Sequence, residues 1–495
     1  MSAIVDLQGN PYPSTNKAYE GAARTARTAN WSAPSVGPNQ ANHYSGRKLR
    51  DRARAGYRNS LLLKSAINKN TTNEVGRGFT LLSTHTDTAL AATLNGLWRQ
   101  LSAQLDPWAD LNFAGLLHLA VKARRMSGEV FALRLRRPGQ YGLPFGLQVE
   151  LLEGDHCPFS LNRRLSKHRR IRQGIEFYKR QKVAYWFYDV HPDDDLTDIK
   201  LAKLTRVPAR DVIHHYRPDR PGQIRGVPDS AAALLKDRTF ADYDDAELVR
   251  KRERSAFTGF LYREDSGEDD WEFDPATGKP LHSDSQAYDS AETVRAGTML
   301  RGVPGEKLDL FSGDDTGQGY KDYMRWQALQ LAAGQDIPYA LLTDDWAGLN
   351  DRLVRAFLNE YRRGIAFDQT NLSGFQFAFG IWRWFVDAAV LTGAIDAPGY
   401  SDNPWPYWAL DIRTDAFKHL HPEQEINARN KAIRYNLSNA EAEAADHGQD
   451  LDNNMRRNAK ALKRWKEICD EEGVEHNTGV GGLFTPSDTT GDSGE

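Results

Sequence analysis

The sequence predicts an α+β protein, because helical and strand patterns fill separate stretches of its 495 residues. Apolar residues recur at helical spacing before residue 128 and again after residue 229. Between these stretches, residues 129–216 are rich in the β-branched and aromatic residues that favour strands. Hydrophobic residues make up 40% of the chain and charged residues 26%, which is typical of a soluble folded protein with several packing units.

Charge and cysteine content exclude several classes of protein. With 64 basic and 67 acidic residues the net charge is −3, which argues against a protein whose main task is to grip phosphates, although a local basic patch stays possible. Two distant cysteines, Cys157 and Cys469, predict no disulfide framework and indicate a reducing compartment. No apolar run of about 18 residues occurs, so no membrane span is expected. The N-terminal residues also lack the apolar core of a secretory signal.

The N-terminal third begins with an arm and continues with helices. Residues 1–46 are rich in Ala, Asn, Ser, Pro and Gly, which predicts a mobile or extended arm. From residue 47 the pattern predicts a helix, a turn and a short strand that ends near residue 83. Two amphipathic helices follow, and their predicted buried faces are Leu90, Leu94, Leu97, Trp98, Leu101 and Leu105 in the first, then Phe113, Leu116, Leu117, Ala120 and Val121 in the second.

Residues 129–216 predict a sheet. GEVFALRLRR and GLQVELLEG flank a Pro/Gly stretch, and IEFYKRQKVAYWFYDVH predicts a hairpin that turns near residues 179–182. RVPARDVIHHYR predicts one further strand, on which His214 and His215 face opposite sides. Hydrophobic residues on both strand faces predict a sheet that is covered on both sides.

Residues 229–262 predict a long helix with an unusually thin apolar stripe. Its middle is almost entirely charged: Asp242, Asp244, Asp245, Glu247, Arg250, Lys251, Arg252, Glu253 and Arg254. Glu247 and Lys251 have the favourable i,i+4 order. Such a helix cannot bury much of itself within one monomer, so it is either a solvated face or packed beside copies of itself.

The next segments predict a small module, a second helix and a loop. Residues 263–318 are acidic and rich in Gly, Asp and Ser, which predicts a separate unit of short strands and loops. Residues 319–335 predict a helix, ended by Gly334. In the loop that follows, Asn350 is a predicted helix N-cap and Asp351 favours the helix dipole. Asp344, Asp345 and Trp346 have no such local purpose, which is typical of loops that carry function.

The C-terminal part predicts helices. Residues 349–393 are helical and aromatic, and we interpret that aromatic stripe as core packing: Phe357, Tyr361, Phe367, Phe375, Phe377, Phe379, Trp382, Trp384 and Phe385. Ser438 and Glu441 have capping-box spacing. A last helix is predicted over residues 451–472, ended by Gly473. Residues 474–495 predict a disordered tail.

A search for reactive motifs finds no catalytic residue, cofactor site or metal site. GxxxxGK[ST], HExxH, CxxC and GxSxG are all absent from the sequence. The acids of HPDDDLTD, residues 191–198, lack the glycine of a calcium loop and are interpreted as a solvated turn. His419 and His421 near Asp415 lack a clear third zinc ligand and are interpreted as a structural corner.

The most specific pattern is RVPARDVIHHYRPDRPGQIRGVPDSAAALLKDRTFADYDDAELVRKRERSAFTGFL, residues 206–261. It resembles the lambda-type bacteriophage portal proteins at Val207-Pro208-Ala209, Asp211, His214, Arg220-Pro221-Gly222-Gln223, Arg225-Gly226-Val227-Pro228, Tyr243 and Asp245-Ala246-Glu247-Leu248. VGRGFTLLS, SGEVFALRL, LQVELLEGDH, GIEFYKRQKVAYWFYDVHP and AAGQDIPYALLTDD resemble further blocks of that family. The resemblance extends from about residue 50 to 475, with a departure at Asn350-Asp351-Arg352-Leu353, where the family typically has Asn-Tyr-Ser-Ser.

The resemblance implies a ring-forming portal fold, with an α/β wing, a helical stem, a small β-containing clip and a helical crown. The implied divisions are an arm (1–46), wing (47–228), first stem helix (229–262), clip (263–318), second stem helix (319–335), channel loop (336–351), wing and long helix (352–415), crown-like helices (416–473) and a tail (474–495). Asp344, Asp345, Trp346 and Asn350 are then expected to face DNA. Asp245, Glu247, Arg250, Lys251 and Arg254 are expected to pair between subunits.

The implied function is a non-enzymatic ring of twelve subunits at one capsid vertex, through which double-stranded DNA is packaged and ejected. The expected partners are the terminase large subunit, major capsid or scaffolding protein, and head-completion or tail adaptor proteins, in a virion assembled in the host cytoplasm. Two alternatives remain open. One is a metal-dependent nuclease that uses the acids at 191–198 or 344–351, and the other is a minor capsid or adaptor protein.

Overall fold

The computed structural model describes residues 30–137, 145–194, 203–256, 260–263, 276–277, 306–309, 319–415, 417, 422–447 and 449–473. The helices are α1 Pro38–Asn59, α2 Leu61–Val75, α3 Thr88–Ser102, α4 Phe113–Ser127, α5 Leu234–Ala256, α6 Tyr320–Gly334, α7 Tyr339–Thr343, α8 Asp351–Asp368, α9 Phe379–Leu391, α10 Trp405–Trp408, α11 Pro422–Arg434, α12 Ala440–Asp446 and α13 Leu451–Glu472. The strands are β1 Thr80–Ser83, β2 Glu129–Arg136, β3 Leu147–Glu153, β4 Arg163–Arg164, β5 Arg169–Arg172, β6 Ile175–Tyr178, β7 Gln181–Tyr188, β8 Leu204–Pro208, β9 Val212–Tyr216, β10 Phe260–Arg263, β11 Glu306–Asp309 and β12 Leu410–Arg413.

The first helix begins earlier than the sequence predicts. Pro38 occupies the first turn of α1, where its fixed φ favours a helix start, so the last part of the predicted arm is helical. Residues 1–29 of that arm lie outside the described residues. Ser60 separates α1 from α2 and caps α2 by accepting a hydrogen bond from the backbone N–H of Leu63.

A three-stranded antiparallel sheet, in the order β3-β2-β9, lies at the centre of the fold. Alternate residues of β2 belong to different cores, because successive side chains of a strand point to opposite faces. Val130 and Ala132 pack with apolar residues of α3, α4 and α9, whereas Phe131 packs with Tyr185 and Phe187 of β7. The prediction that this sheet is covered on both faces is confirmed.

A second sheet has five antiparallel strands in the order β4-β5-β6-β7-β8. The predicted hairpin is confirmed, since β6 pairs with β7 across a turn at Lys179 and Arg180. The prediction of a single strand in RVPARDVIHHYR is wrong. A 3₁₀ turn, Ala209–Asp211, divides this segment into β8 of the five-stranded sheet and β9 of the central sheet.

Helices α5 and α6 pack against each other as an antiparallel pair. Ala233, just before α5, lies against Gly334 at the end of α6, and Tyr243 in the middle of α5 contacts Tyr320 at the start of α6. The predicted helix 229–262 is too long, because α5 ends at Ala256 and residues 260–263 form β10, which pairs with β11. Most of the predicted clip, 263–318, lies outside the described residues.

A long helix runs from α8 through a π-helical segment, Gln369–Ala378, into α9. The predicted aromatic core is confirmed for part of the stripe and wrong for the rest. Phe377, Trp382 and Phe385 are completely buried, and Trp382 and Phe385 contact Trp98 of α3. Phe367 and Phe375 are 60% and 67% exposed. Phe357 is also exposed, so one side of this helix is not covered within the described chain.

The C-terminal helices agree with the sequence except at one cap. Helix α13 spans the predicted residues and ends at Gly473, whose φ of 67° is the left-handed conformation that glycine adopts freely. Asn439, rather than Ser438, caps α12 by accepting a hydrogen bond from the N–H of Ala442. The tail 474–495 and the histidines His419 and His421 lie outside the described residues.

Candidate functional site

The site is organised by a buried carboxylate at the end of α2. Glu74 accepts hydrogen bonds from Arg124 (2.6 Å) and from Arg125 (2.5 Å) of α4, and from the hydroxyl of Ser373 in the π-helical segment (2.5 Å). Burial by itself raises the pKa of Glu74, but the two guanidinium groups and the Ser373 hydroxyl lower it to about 2. The Glu74 carboxylate is therefore charged at neutral pH and holds three elements together.

Arg125 extends this network to the beginning of α5. Its Nη1 donates to Asp229 and its Nη2 donates to Asp368, both at 2.9 Å. Asp229 lies in the 3₁₀ turn just before α5, and Asp368 is the last residue of α8. Arg217 donates to the other Asp368 oxygen at 2.6 Å. These ion pairs connect the central sheet, the α5–α6 pair and the long helix.

A second buried network lies on the other side of the central sheet. Glu129 accepts hydrogen bonds from Arg50 and Arg225, each at 2.6 Å, and its second oxygen lies 3.0 Å from Nε2 of His214. Burial raises the pKa of Glu129, but Arg225, His214 and Arg50 together hold it well below its usual value. His214 is thus a structural residue. Its ring stacks on Phe131, whereas the ring of His215 contacts Phe377. The two histidines therefore face opposite sides of the sheet, as predicted.

Two glycines allow this network to form. A Cβ on Gly226 would lie 1.9 Å from the carbonyl oxygen of Gly128, and Gly128 has a positive φ of 88°. The backbone N–H of Gly226 donates to Glu129 at 3.0 Å. The segments SGEV and RGVP therefore meet at a contact that only glycine permits at both positions.

Helix α5 has little packing within one chain. In its described side chains, residues 234–252, only Asp237 and Glu247 are buried. Leu235 is 80% exposed, and Leu248 and Val249 are each 49% exposed. The expectation that this helix buries little of itself within a monomer is confirmed.

Three of the five predicted stem charges, Glu247, Arg250 and Lys251, have partners on their own helix. Glu247 lies 2.6 Å from Nη2 of Arg250 and 3.9 Å from Nζ of Lys251. Lys251 also lies over the ring of Tyr320. Asp245 is exposed, and it has no ion-pair partner in the described part of the chain. The side chain of Arg254 lies outside the described part.

The predicted channel loop is anchored to α2 rather than free. Lys69 donates from Nζ to Asp344 at 2.7 Å and to the carbonyl oxygen of Leu341 at 2.6 Å. Asp344 itself has a positive φ of 58° and ends α7. The Asp344 side chain is 71% exposed, so Lys69 holds a carboxylate that still faces solvent.

The remainder of the loop is a sequence of local turns. Asp345 accepts hydrogen bonds from the Ala347 N–H (3.1 Å) and the Tyr339 hydroxyl (3.3 Å). Trp346 is 42% exposed. Asn350 caps α8 by accepting from the Leu353 N–H at 2.9 Å, as the sequence predicts. The loop therefore presents an indole and carboxylates from fixed backbone positions.

The acids of this loop do not converge on a metal position. Asp344 is bound by Lys69, and Asp351 by Arg355. In the described part of the chain, the group whose geometry fits a cation is Glu153, Asp155 and His191. Nη2 of Arg54 lies 2.5 Å from both of those carboxylates and fills the position that a cation would take.

The acidic turn 191–198 is only partly described. His191 lies 3.4 Å from Glu153, and Asp193 lies 2.5 Å from Arg47, so both residues make structural contacts. Residues 195–198 lie outside the described residues. Asp415, the proposed companion of the C-terminal histidines, is bound by Arg77 at 2.9 Å.

Sequence reasoning missed the two buried ion networks. Their members are separated by up to 299 positions, as between Ser373 and Glu74, so no local spacing reveals them. The signal was nevertheless present in two motifs, because Glu129 belongs to SGEVFALRL and Arg225 to RGVP. In each motif a charged residue lies between a glycine and an apolar residue, a pattern that indicates a buried pair.

Comparisons with known proteins identify a family and one curated relative that this chain resembles in sequence. The family model for "Phage portal protein, lambda family" matches residues 24–369. A "Probable portal protein" of Halomonas phage phiHAP-1 is 27% identical over 250 residues, which are 50% of this chain. The match spans 46% of that relative, so the chain spans about half the length of the curated relative it matches.

Solved structures with a similar chain come from gene transfer agent (GTA) particles. One is titled "Neck of empty GTA particle computed with C6 symmetry", with a TM-score of 0.46, 13% identity and coverage of 86% of this chain and 97% of the other. Another is titled "Neck of native GTA particle computed with C12 symmetry", with a TM-score of 0.46, 11% identity and the same coverage. In the described part of the chain, no helix has the length and hydrophobicity of a membrane span.

Proposed function

Because the chain belongs to the lambda family of phage portal proteins, we propose that it assembles into a ring of twelve subunits at one vertex of a viral capsid. Double-stranded DNA passes through the axis of this ring during packaging and ejection. The ring itself is a conduit without catalytic activity. ATP hydrolysis belongs to a partner, which agrees with the absence of a P-loop from the sequence.

The observation that carries this proposal is the exposed surface of α5. A helix of 23 residues that buries two of its described side chains gains little from packing within one chain. Leu235, Leu248 and Val249 on the same helix face solvent in a single subunit. Copies of α5 and α6 arranged about an axis cover these residues, since head-to-tail contacts close into a ring when the rotation permits.

The stem charges fit a ring in which pairs form both within and between subunits. Glu247 is bound by Arg250 of its own helix, and Asp245 is exposed without a described partner. Asp245 is therefore the acid most available to Arg250 or Arg254 of the next subunit. Exposed pairs are individually weak, about 0–1 kcal/mol, but a ring repeats each of them in every subunit.

The domain assignment follows the described elements. We assign α1 to β9 to the wing, α5 and α6 to the stem, and the β10–β11 pair to the base of the clip. The loop from α7 to α8 is the channel loop, the long helix belongs to the wing, and α11 to α13 form a crown. The terminase large subunit and then head-completion or tail adaptor proteins dock at the clip, and capsid or scaffolding protein contacts the wing.

We propose that DNA slides along the channel loop and is not bound by it. Trp346 presents an apolar ring, and Asp344 and Asp345 present negative charge that disfavours phosphate. The salt bridge from Lys69 fixes the position of Asp344 and offsets part of its charge. A strongly basic loop would instead release counterions on binding and hold the duplex in place.

A nuclease is the weaker alternative. Its candidate acids in the loop are engaged by Lys69, Tyr339 and Arg355, so they are separated rather than gathered around a cation. An enzyme of this class requires carboxylates that share a metal. Incubation of the purified protein with DNA and magnesium distinguishes the two, because cutting that disappears in Asp344→Asn plus Asp345→Asn would favour the nuclease.

The test of the main proposal is direct imaging. Electron micrographs of the purified full chain are expected to show rings with an axial opening, and mass measurement gives the subunit number. If the chain is instead a minor capsid or adaptor protein, the particles should have a different mass and no axial opening. A stable monomer under all assembly conditions, with α5 fully accessible to hydrogen exchange, would contradict the proposal.

A further inference from the structure

A basic groove lies at the outer edge of the five-stranded sheet. It has a volume of about 760 Å³ and is lined by β4, β5, the turn between them and the turn at Lys179 and Arg180. Residues 163–180 contain eight Lys and Arg residues and a single acid, Glu176, although the net charge of the whole chain is −3. The basic groove is thus a local reversal of the overall charge.

Most cations of the basic groove have no carboxylate partner. Glu176 is occupied by Arg169 and by Arg206, each at 2.8 Å. In the described part of the chain, Arg163, Arg164, Lys167, Arg170, Arg172, Lys179 and Arg180 form no ion pair. Burial lowers the pKa of Arg172, and the neighbouring charge of Arg170 lowers it further.

The cations stand on a hydrogen-bonded scaffold. The N–H groups of Leu165 and Ser166 both donate to the carbonyl oxygen of Arg169 at 2.9 Å. The Arg169 N–H donates to the Ser166 hydroxyl at 3.1 Å, and the Lys179 N–H donates to the His168 carbonyl at 2.7 Å. These bonds fix the two turns against each other and keep the charges close despite their repulsion.

The strand register places the arginines in pairs. Arg164 lies opposite Arg170 in the β4–β5 pair, so their side chains share one face. Arg172 lies two residues further along β5 on that same face. An anion bound on this face contacts several guanidinium groups at once and removes the repulsion between them.

The chemistry of the basic groove favours phosphate over a protein surface. Six of its eight cations are arginines, whose planar guanidinium groups match phosphate oxygens. The exposed large apolar residues between 163 and 180 are only Leu165 and Tyr178, whereas a protein–protein interface has an apolar core with few charges. A regular polyanion satisfies many cations without an apolar contact.

We propose that the basic groove binds the backbone of double-stranded DNA outside the channel, independently of sequence. This inference takes from the proposed function only the presence of duplex DNA near the ring. The contact is distinct from the channel loop, which disfavours phosphate. It gives the protein one surface on which DNA slides and another on which DNA is held.

The experiment measures binding of the full chain to relaxed closed-circular duplex DNA, which cannot be threaded through a closed ring. Filter binding is followed from about 50 to 200 mM salt. The test variant is Arg164→Gln, Arg170→Gln and Arg172→Gln. The matched control is Arg52→Gln, Lys64→Gln and Arg99→Gln, three exposed cations of α1, α2 and α3 that form no ion pair in the described part of the chain.

The test variant is expected to bind about tenfold or more weakly than the native protein at about 0.1 M salt, and its salt dependence is expected to fall by about two to three charges. The control is expected to stay within about twofold, since its cations do not converge. Equal affinity and salt dependence in both variants would overturn the inference. A second triple, Arg163→Gln, Lys167→Gln and Arg180→Gln, is used if the first does not fold.

Two further readouts identify other occupants. If polyglutamate at equal charge concentration displaces DNA and binds more tightly, the natural ligand is an acidic protein segment and the DNA assignment is wrong. If the test variant alone fails to form rings in electron micrographs, the groove is a subunit contact and the inference is also wrong. Absence of rings in the native protein contradicts the proposed function instead, and leaves the DNA measurement valid.

Discussion

Nη2 of Arg125 lies 2.9 Å from the Asp368 carboxylate, so α4 and the end of α8 are joined by a buried ion pair. The same guanidinium binds Asp229 through Nη1, just before α5. The α5–α6 pair can therefore move relative to α4 and α8 only if these ion pairs change. Otherwise all of these helices move together. Burial of charge makes the junction costly to break.

Replacement of Arg125 by methionine is expected to destabilise the protein by about 3–5 kcal/mol, because Glu74 and Asp368 then lose a buried partner. Urea denaturation followed by tryptophan fluorescence measures the change. Arg363→Met is the control, since Arg363 is exposed and bonds only weakly to Glu360 at 3.4 Å. The control should change stability by less than about 0.5 kcal/mol. Similar effects in both variants would show that the junction does not hold the parts together.

Acid is expected to destabilise the protein through its buried histidines. Burial lowers the pKa of His214 and of His215 from 6.5 to about 3, with Arg124 contributing at His215. Between these pH values the unfolded chain binds protons that the folded chain does not. The unfolding free energy therefore falls as the pH falls from 6.5 to 3, by up to about 1.4 kcal/mol per pH unit for each histidine.

The variant His215→Phe tests this pH dependence. The slope of the unfolding free energy against pH is expected to decrease by the contribution of one proton. Urea titrations at a series of pH values between 6.5 and 4 measure this slope. His43→Phe provides the control at an exposed histidine. An unchanged slope in His215→Phe would mean that this histidine takes up its proton in the folded state.

Removal of the Lys69 amine is expected to loosen the channel loop without unfolding the protein. In Lys69→Met, Asp344 and Leu341 lose their hydrogen bonds to the Lys69 amine. The Asp344 side chain is exposed, so the free energy of unfolding should change by only about 1 kcal/mol or less. Hydrogen exchange of residues 341–350 should increase. Lys64→Met, which changes an exposed lysine nearer the start of α2, should leave the exchange unchanged. Equal exchange in both variants would show that the anchor is not needed.

The loop side chains themselves are expected to act on DNA and not on assembly. Trp346→Ala with Asp345→Ala should form normal rings in electron micrographs but package or retain less DNA, because the variant lacks the surface that we propose faces the duplex. Trp108→Ala with Asp110→Ala is the control, since Trp108 is exposed on a different loop. Full packaging by the loop variant would remove its proposed role.

Reversal of an unpartnered stem charge is expected to reduce ring formation. In the proposed ring, Asp245→Lys would place a cation beside Arg250 of the next subunit, and like charges in contact repel. Mass photometry should show fewer rings at low salt and partial recovery at high salt, because salt screens the repulsion. Asp51→Lys, an exposed charge of α1, is the control. Normal rings in Asp245→Lys would place this residue away from the subunit contact.

Local patterns predicted much of the fold. The stripe of α3, the limits of α13 and the Asn350 cap each depend on neighbouring residues, and all three are found. The division of RVPARDVIHHYR into β8 and β9 was missed, because both halves have a strand composition and the break is made by pairing with different sheets. The exposed Phe367 and Phe375 were also missed, since periodicity does not tell which side of a helix is covered.

The site was predicted in part. Residues 344–350 were identified as a loop with a function of its own, but the Lys69 anchor was not foreseen, because it joins positions 275 residues apart. The basic run 163–180 was not singled out from the sequence, and its pairing into one groove depends on strand register. Whether Asp245 and its neighbours meet a second copy depends on assembly and stays a prediction.

The sequence by itself determined where most of the helices and many of the strands form, that α5 carries too few apolar residues to be buried alone, and which family the chain resembles. These features depend on residues a few positions apart in the chain, and the regular geometry of helices and strands relates such residues directly. Only the tertiary structure decided that Glu74 meets Arg125 and Asp368, that Lys69 holds Asp344, and that the arginines of β4 and β5 share one face. Such contacts join distant positions, and long-range packing rather than local preference selects them.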